Sequence, residues 1–211
     1  MRERDLLLVD EGAARATRQG HEEWQKRRSE TVERGQRPSL RVETATARAS
    51  STAGEGVDVA AVEIRTSPRP GGRRFGSLVH AVLAGIDLRA PSEAIASAAT
   101  AQGRLVGATS EEVAAAAQAV EAALAHPLLR RAAAATECRR EDPVVHRLDD
   151  GTLLEGVVDL AFRDGDGWTV VDFKTDARPE SHPQYGAQVR LYCRAITAAT
   201  GLPARGALLA V

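Results

Sequence analysis

Two acidic residues and one lysine lie inside otherwise apolar stretches of this chain. Asp159 belongs to residues 156–160 (GVVDL), and Asp172 and Lys174 belong to residues 170–175 (VVDFKT). Because the neighbouring residues are apolar, these charges do not serve solubility. They are therefore candidates for chemistry.

The segment between the two stretches predicts a β-hairpin. Residues 163–167 (RDGDG) combine glycine and aspartate in the manner of a tight turn. Folding the strands about this turn brings Asp159 roughly opposite Asp172. Since side chains alternate along a strand, Asp172 and Lys174 emerge on the same side.

This arrangement indicates metal-assisted hydrolysis. Two adjacent carboxylates repel each other unless a divalent cation or a proton lies between them, and a nearby lysine can orient a water molecule. Two carboxylates and a lysine are the smallest set of side chains needed for metal-assisted cleavage of a phosphodiester. The D-x-K triplet also occurs at solvated strand ends, so the triplet alone leaves both interpretations open.

The surrounding pattern predicts the elements that must position these groups. A helix that begins near Gly76 carries His80 at the edge of its apolar stripe. The other elements are helices at about Ser92–Gly103, Ser110–Ala125 and Tyr185–Ala199, and strands at about Glu137–Arg147, Thr152–Phe162, Trp168–Lys174 and Gly206–Val211. This order predicts an α/β fold, with a mixed sheet flanked by helices.

The first seventy residues have a different character. Residues 11–34 predict an exposed helix, residues 36–56 lack hydrophobic periodicity and are typical of a mobile linker, and Val57–Ile64 is typical of a strand. We therefore expect residues 1–70 to form a helical and linker extension, and residues 71–211 to form the main domain.

Composition narrows the possible partners. The net charge is -1 and charged residues make up 27% of the chain, so a nucleic-acid partner needs a local basic patch. Candidate phosphate contacts are Arg73, Arg74, Arg139 and Arg140.

No run of eighteen apolar residues or signal pattern is present, which predicts no membrane association. The two cysteines, Cys138 and Cys193, are expected to be buried thiols of a reducing compartment, and the chain is expected to be cytoplasmic.

Four motifs in a fixed order resemble a known family. They are Gly76-x-x-x-His80, Gly156-x-x-Asp159, Asp172-Phe173-Lys174-Thr175 and Gln188-x-x-x-Tyr192. In this order they resemble the PD-(D/E)XK nuclease superfamily, and within it the nuclease domains at the C-terminus of AddA- and RecB-like helicase-nucleases. The resemblance covers about residues 71–211 and implies a restriction-endonuclease-like fold.

The resemblance implies a role for each motif residue. His80, Asp159 and Asp172 would be metal ligands, joined by the backbone carbonyl of Phe173, and Lys174 would be the catalytic lysine. Gln188 and Tyr192 would form a helix motif beside the site. The implied metal is Mg²⁺, with Mn²⁺ also tolerated because one ligand is an imidazole. Glu141 stands where AddA-like relatives carry a strand glutamate, and either a site role or a surface role fits it.

The implied activity is that of a DNA exonuclease acting in double-strand break repair and recombination on single strands fed by a helicase. The helicase would belong to the same polypeptide or complex, and Arg4–Val9 resembles the last strand of such a helicase core. No phosphate-binding loop of the G-x-x-x-x-G-K-[S/T] type is present. The alternatives are a catalytically silent DNA-binding or scaffold module and a stand-alone Cas4-like nuclease. The latter usually needs four cysteines for an iron–sulfur cluster, and two cysteines are too few, so we expect no such cluster.

Overall fold

The computed structural model describes residues 11–51, 59–63, 70–176 and 182–211. These residues fall into two compact units that divide between Arg41 and Val42. The first contains helix α1 (Glu11–Gln36), whose side chains are almost all exposed, including Trp24 at 52%. The predicted exposed helix is thus confirmed. The strand suggested within Arg4–Val9 lies outside the described residues.

The second unit is built on one mixed sheet. Its described strands are β1 (Val42–Thr44), β2 (Val59–Glu63), β3 (Glu137–Arg147), β4 (Leu153–Asp164), β5 (Gly167–Lys174) and β6 (Ala204–Ala210). Strands β3, β4 and β5 pair antiparallel in series, whereas β6 runs parallel to β5 and β2 runs parallel to β6. The predicted mixed α/β sheet is confirmed.

Helices cover this sheet. They are α2 (Ala45–Ser51), α3 (Arg73–Gly85), α4 (Ser92–Val106), α5 (Ser110–Ala125), α6 (Pro127–Ala134) and α7 (Pro183–Thr200). One core packs α3 to α6 against β4, β5 and β6, and a second core packs α2 and α7 against the same strands. Among the described helices, none is long and apolar enough to cross a bilayer.

The β4–β5 hairpin has the register that the sequence predicts. Its turn is Gly165-Asp166, and Gly165 adopts φ +65°, a left-handed conformation that glycine reaches without steric cost. Leu160 pairs with Val171, so the next residues along the two strands are Asp159 and Asp172. The hairpin therefore brings the two carboxylates to the same level of the sheet.

Strand β4 changes partner beside this point. Strand β3 occupies one edge of β4 along almost its whole length. Since a strand has two edges, β1 and β5 share the other, β1 at Leu153–Glu155 and β5 at Leu160–Asp164. Residues 156–159 lie between these two pairings, so Asp159 stands where the regular ladder opens.

The alternation of β4 is also interrupted at Asp159. Leu154 and Val158 belong to the α7 core, whereas Leu160 and Phe162 belong to the core of α3 to α6. In a regular strand these four even-numbered residues would face one side. The change of side places Asp159 between the two cores.

The linker predicted over residues 36–56 is wrong for residues 42–51. These residues form β1 and α2, with Ala45 and Ala49 buried and Arg48 paired to Asp150 at 3.0 Å. The segment is too short and too rich in alanine and threonine to show a hydrophobic period, and its partner β4 lies far along the chain. The two compact units divide upstream of residue 70, and the extent of the functional domain stays a prediction.

The cysteine prediction is half wrong, since Cys193 is buried but Cys138 is exposed on β3.

Candidate active site

The two carboxylates of the hairpin lie side by side, and the side chain of Asp159 is mostly buried, with 13% exposed. Asp172 is only 2% exposed. Asp159 reaches across the open part of the ladder, and its Oδ2 accepts a hydrogen bond of 2.8 Å from the backbone N–H of Phe173. The side chain of Asp159 thus replaces a backbone acceptor where β4 and β5 separate.

Burial makes this carboxylate pair electrostatically costly. Desolvation, followed by the charge of Asp172, raises the pKa of Asp159 to about 7. Desolvation also raises the pKa of Asp172, although Lys174 and His80 oppose that rise. Two acids held in this way require a proton or a cation near neutral pH.

Lys174 supplies one positive charge to the pair. Its Nζ lies 2.6 Å from Oδ2 of Asp172. Val171 and Phe173 pack into the core of α3 to α6, so by alternation Asp172 and Lys174 face the α7 side. The structure therefore brings Asp172 and Lys174 together, as the strand period predicts.

His80 approaches the same point from α3. Its Nδ1 lies 3.7 Å from Oδ2 of Asp159, and its ring meets the Phe173 ring edge-on at a centroid distance of 6.1 Å. Burial lowers the pKa of His80, while Asp172 and the backbone of Phe173 act in the opposite direction. The lowered pKa favours the neutral imidazole, which is the form that binds metals.

Helix α3 can come this close because of Gly76. A Cβ placed on Gly76 would lie 2.9 Å from Oγ1 of Thr175, the residue that follows β5. The glycine of the first motif therefore lets α3 pack against the end of the strand that carries Asp172 and Lys174. His80, one helical turn later, is brought to the carboxylates as a result.

Gln188 and Tyr192 flank the site from α7. Nε2 of Gln188 donates a hydrogen bond of 3.0 Å to Oη of Tyr192, which is 3% exposed. The Tyr192 ring packs directly on Gly156, where an added Cβ would lie 2.6 Å from Cε1 of the ring. Burial raises the pKa of Tyr192, and Asp172 and Asp159 act in the same direction. The Tyr192 ring thus packs against β4 beside Asp159, and the contact explains the glycine of the second motif.

The donor set fits a hard divalent cation in its chemistry. Within the described ranges, no three His, Cys, Asp or Glu side chains are already grouped closely enough to hold a metal ion. His80, Asp159 and Asp172 are therefore not grouped as a ready-made ligand set, and metal binding by these residues, with the carbonyl of Phe173 and several waters, stays a prediction. The paired acids with raised pKa values and the neutral imidazole are the groups that such an ion would engage.

The four predicted phosphate contacts have different environments. The guanidinium of Arg74 binds Glu112, with Nε 3.0 Å from both carboxylate oxygens, and Nη1 of Arg140 donates to the carbonyls of Leu83 and Ile86 at the end of α3. Nη1 of Arg139 lies 4.0 Å from Oδ2 of Asp142, and Arg73 is exposed. Arg74 and Arg140 are thus engaged in holding helices, and DNA binding by all four residues stays a prediction.

Glu141, which the sequence left open between two roles, stands across from Asp159. Arg140 pairs with Leu160 and Asp142 with Val158, so Glu141 is the residue opposite Asp159. Glu141 has φ +47° and is exposed overall, yet partial burial of its carboxyl raises its pKa. Its charge also contributes to the raised pKa of Asp159.

Sequence reasoning assigned neither Tyr185 nor Asp176 to the site. The Tyr185 ring faces Nζ of Lys174 at 4.6 Å, and Oη of Tyr185 donates a hydrogen bond of 2.5 Å to Asp176. The available signal was helical spacing, because Tyr185 precedes Gln188 by three residues and Tyr192 by seven.

Comparison with known proteins identifies the class. The profile of the PD-(D/E)XK nuclease superfamily matches residues 54–211, which include every residue of the candidate centre. The chain therefore belongs to the PD-(D/E)XK nuclease superfamily, and its mixed sheet is restriction-endonuclease-like.

A helicase-nuclease relative gives a second level of similarity. The chain is 29% identical over 79 residues to an ATP-dependent helicase/nuclease subunit from Bacillus licheniformis. The aligned segment covers 32% of this chain and 6% of that protein. This similarity supports the AddA- and RecB-like resemblance of the motifs.

Proposed function

We propose that this chain is a divalent-metal-dependent DNA nuclease domain that hydrolyses phosphodiester bonds. The observation that carries the proposal is the meeting of Asp159, Asp172 and Lys174, from the two strands of one hairpin, in a buried centre that His80 joins from α3. Membership of a nuclease superfamily supports the reaction class. We place the activity in residues 71–211.

The residues of the centre divide the work as follows. Asp159, Asp172, His80 and the carbonyl of Phe173 would hold Mg²⁺, or Mn²⁺ in its place. When bound, the ion would polarise the scissile phosphate and lower the pKa of a coordinated water. The Lys174 ammonium, 2.6 Å from Asp172, would orient the attacking water or stabilise negative charge on the phosphate oxygens.

Gln188 and Tyr192 would act beside this centre. Their mutual hydrogen bond and the packing of Tyr192 on Gly156 keep the α7 face against β4. We propose that this face fixes the position of Asp159, with Gln188 also within reach of a DNA backbone. Arg73 and Arg139 are the arginines that we propose for phosphate contacts, since the side chains of Arg74 and Arg140 are engaged within the fold.

We also propose an association with a helicase, in the same polypeptide or complex, during DNA recombination and repair. The similarity to a helicase/nuclease protein supports this context. The helicase would supply single strands to the site in the cytoplasm. We expect the full complex purified from cells to degrade duplex DNA faster with ATP than without it. Equal rates with and without ATP would contradict the association.

The nuclease proposal is tested with labelled single- and double-stranded DNA. The chain should cut DNA with Mg²⁺ and not with EDTA, and Lys174→Ala should lower the rate at least about 10²-fold. Lys26→Ala, which removes the chain's other lysine from α1, is the matched control and should leave cutting unchanged. DNA binding without metal-dependent cutting would contradict the proposal and favour a silent binding module.

A further inference from the structure

Lys174 has two partners in the described structure. Oδ2 of Asp172 lies 2.6 Å from its Nζ, and the centroid of the Tyr185 ring lies 4.6 Å from the same atom. An ammonium over an aromatic face is attracted by the ring quadrupole, and the attraction grows when the cation is partly removed from water. The Lys174 side chain is mostly buried, with 16% exposed.

Tyr185 is itself held in place. Its Oη donates a hydrogen bond of 2.5 Å to Oδ2 of Asp176, and this bond, together with burial and nearby carboxylate charge, raises the pKa of Tyr185 to about 12. The ring of His182 lies beside the Tyr185 ring at a centroid distance of 5.1 Å. Asp176 follows β5 by two residues and Tyr185 lies in the first turn of α7, so the bond ties the start of the helix to the end of the strand that carries Lys174.

The two partners of Lys174 differ in what they demand of it. A carboxylate takes N–H donors of the ammonium, and Asp172 is also a proposed metal ligand. An aromatic face attracts the whole cation without a directed hydrogen bond, which leaves N–H donors for water or phosphate oxygens. Tyr185 can therefore keep the ammonium in place when Asp172 is engaged elsewhere.

We propose that Tyr185 is a positioning residue for Lys174, with its ring holding the ammonium and its hydroxyl anchored by Asp176. The proposal rests on the nuclease function proposed above. It assigns Tyr185 no contact with DNA and no proton transfer, so its removal should change the chemical step and leave DNA affinity unchanged.

Three variants test this role. Tyr185→Leu removes the ring and should lower the single-turnover rate with Mg²⁺ roughly tenfold, the order expected from a partly desolvated cation–π contact. Tyr185→Phe keeps the ring. The fall in the logarithm of its single-turnover rate should therefore be less than half of the fall seen for Tyr185→Leu. Trp24→Leu removes another cation–π pair, Trp24 with Arg28 on α1, and should change nothing.

A spectroscopic measurement separates this proposal from the nuclease proposal. The ε-methylene protons of Lys174 are bonded next to the Nζ that lies over the Tyr185 ring. We expect them to show an upfield ring-current shift that Tyr185→Leu abolishes and Tyr185→Phe retains. If the wild-type chain cuts no DNA, the nuclease function fails, and this shift still decides whether Tyr185 holds the lysine.

The positioning role is overturned by any of three results. These are a wild-type rate in Tyr185→Leu, a loss confined to DNA affinity, or a Lys174 signal that Tyr185→Leu does not move. Circular dichroism of each variant should match the wild type. If Tyr185→Leu is unfolded, Tyr185→Met, which also lacks a ring, replaces it in the same comparison.

Discussion

The charged residues of the β4–β5 hairpin differ from Arg74 of α3 and Arg140 of β3 in the partners that the fold gives them. Asp159 and Asp172 are buried beside each other, and Lys174 lies next to them on β5. Arg74 instead meets a carboxylate at 3.0 Å, and Arg140 meets two helix-terminal carbonyls. The hairpin residues are left with excess negative charge, whereas Arg74 and Arg140 have acceptors for their guanidinium groups within the fold.

This difference distinguishes a candidate site from a structural contact. A fold that buries like charges loses stability, so such a cluster persists where its charge has a use. A buried or half-buried arginine with matched acceptors contributes to stability by ordinary hydrogen bonding. In sequence, both groups are charged residues that lie near apolar ones.

The largest expected effect comes from removing one charge of the carboxylate pair. Asp172→Asn should lower the Mg²⁺-dependent rate of DNA cutting at least about 10²-fold. The same change should leave the thermal midpoint unchanged or higher, because a buried charge is lost. Asp149→Asn, in the exposed turn before β4, is the matched control. A clear fall in the midpoint of Asp172→Asn would place this residue with the structural group.

The contact between Gly156 and Tyr192 gives the second prediction. In Gly156→Ala the new Cβ would lie 2.6 Å from the Tyr192 ring, so we expect a loss of about 1–3 kcal/mol in the free energy of unfolding. Gly85→Ala is the control, because its Cβ would meet nothing within 4 Å. Denaturant titration measures both. If Gly156→Ala is as stable as the control, the packing of Tyr192 on β4 is not what positions Asp159.

The arginines give the third prediction. Arg140→Ala should lower the free energy of unfolding by roughly 1–2 kcal/mol, because two carbonyls at the end of α3 lose their donor. Arg139→Ala should leave stability unchanged. It should also lower the slope of the logarithm of the DNA-binding constant against the logarithm of the salt concentration by about one, the value for one phosphate contact. Urea titration and binding at several salt concentrations compare the two. The reverse pattern would exchange their structural and functional assignments.

The fourth prediction concerns pH. Burial and Asp172 raise the pKa of Asp159 from 3.8 to about 7. Between these values the folded protein keeps a proton that the unfolded chain releases, so the metal-free protein should lose stability as pH rises from about 4 to about 7. We expect the thermal midpoint to fall by several degrees over this range, and Asp159→Asn to reduce the fall. An unchanged profile in Asp159→Asn would show that the carboxylate pair is not strained.

Much of the hairpin could be predicted from sequence because its determinants are local. The glycine-aspartate turn fixes the register, and strand alternation fixes the common side of Asp172 and Lys174. The β1–α2 segment could not be predicted, since its strand is three residues long and pairs with β4 more than a hundred residues later. The roles of Arg74 and Arg140 were missed for the same reason, because their acceptors lie on other elements.

By itself, the sequence determined which chemical groups this protein carries, the order of most strands and helices in residues 71–211, and the register that places Asp159 level with Asp172. Only the tertiary structure decided that His80 of α3 and Tyr185 of α7 reach the same centre, that β4 changes side at Asp159, and which arginines are already engaged. The physical reason is the separation along the chain of the residues that interact. Turn conformation and side-chain alternation depend on neighbours a few residues away, whereas burial, desolvation and partner choice depend on segments that meet only when the chain has folded.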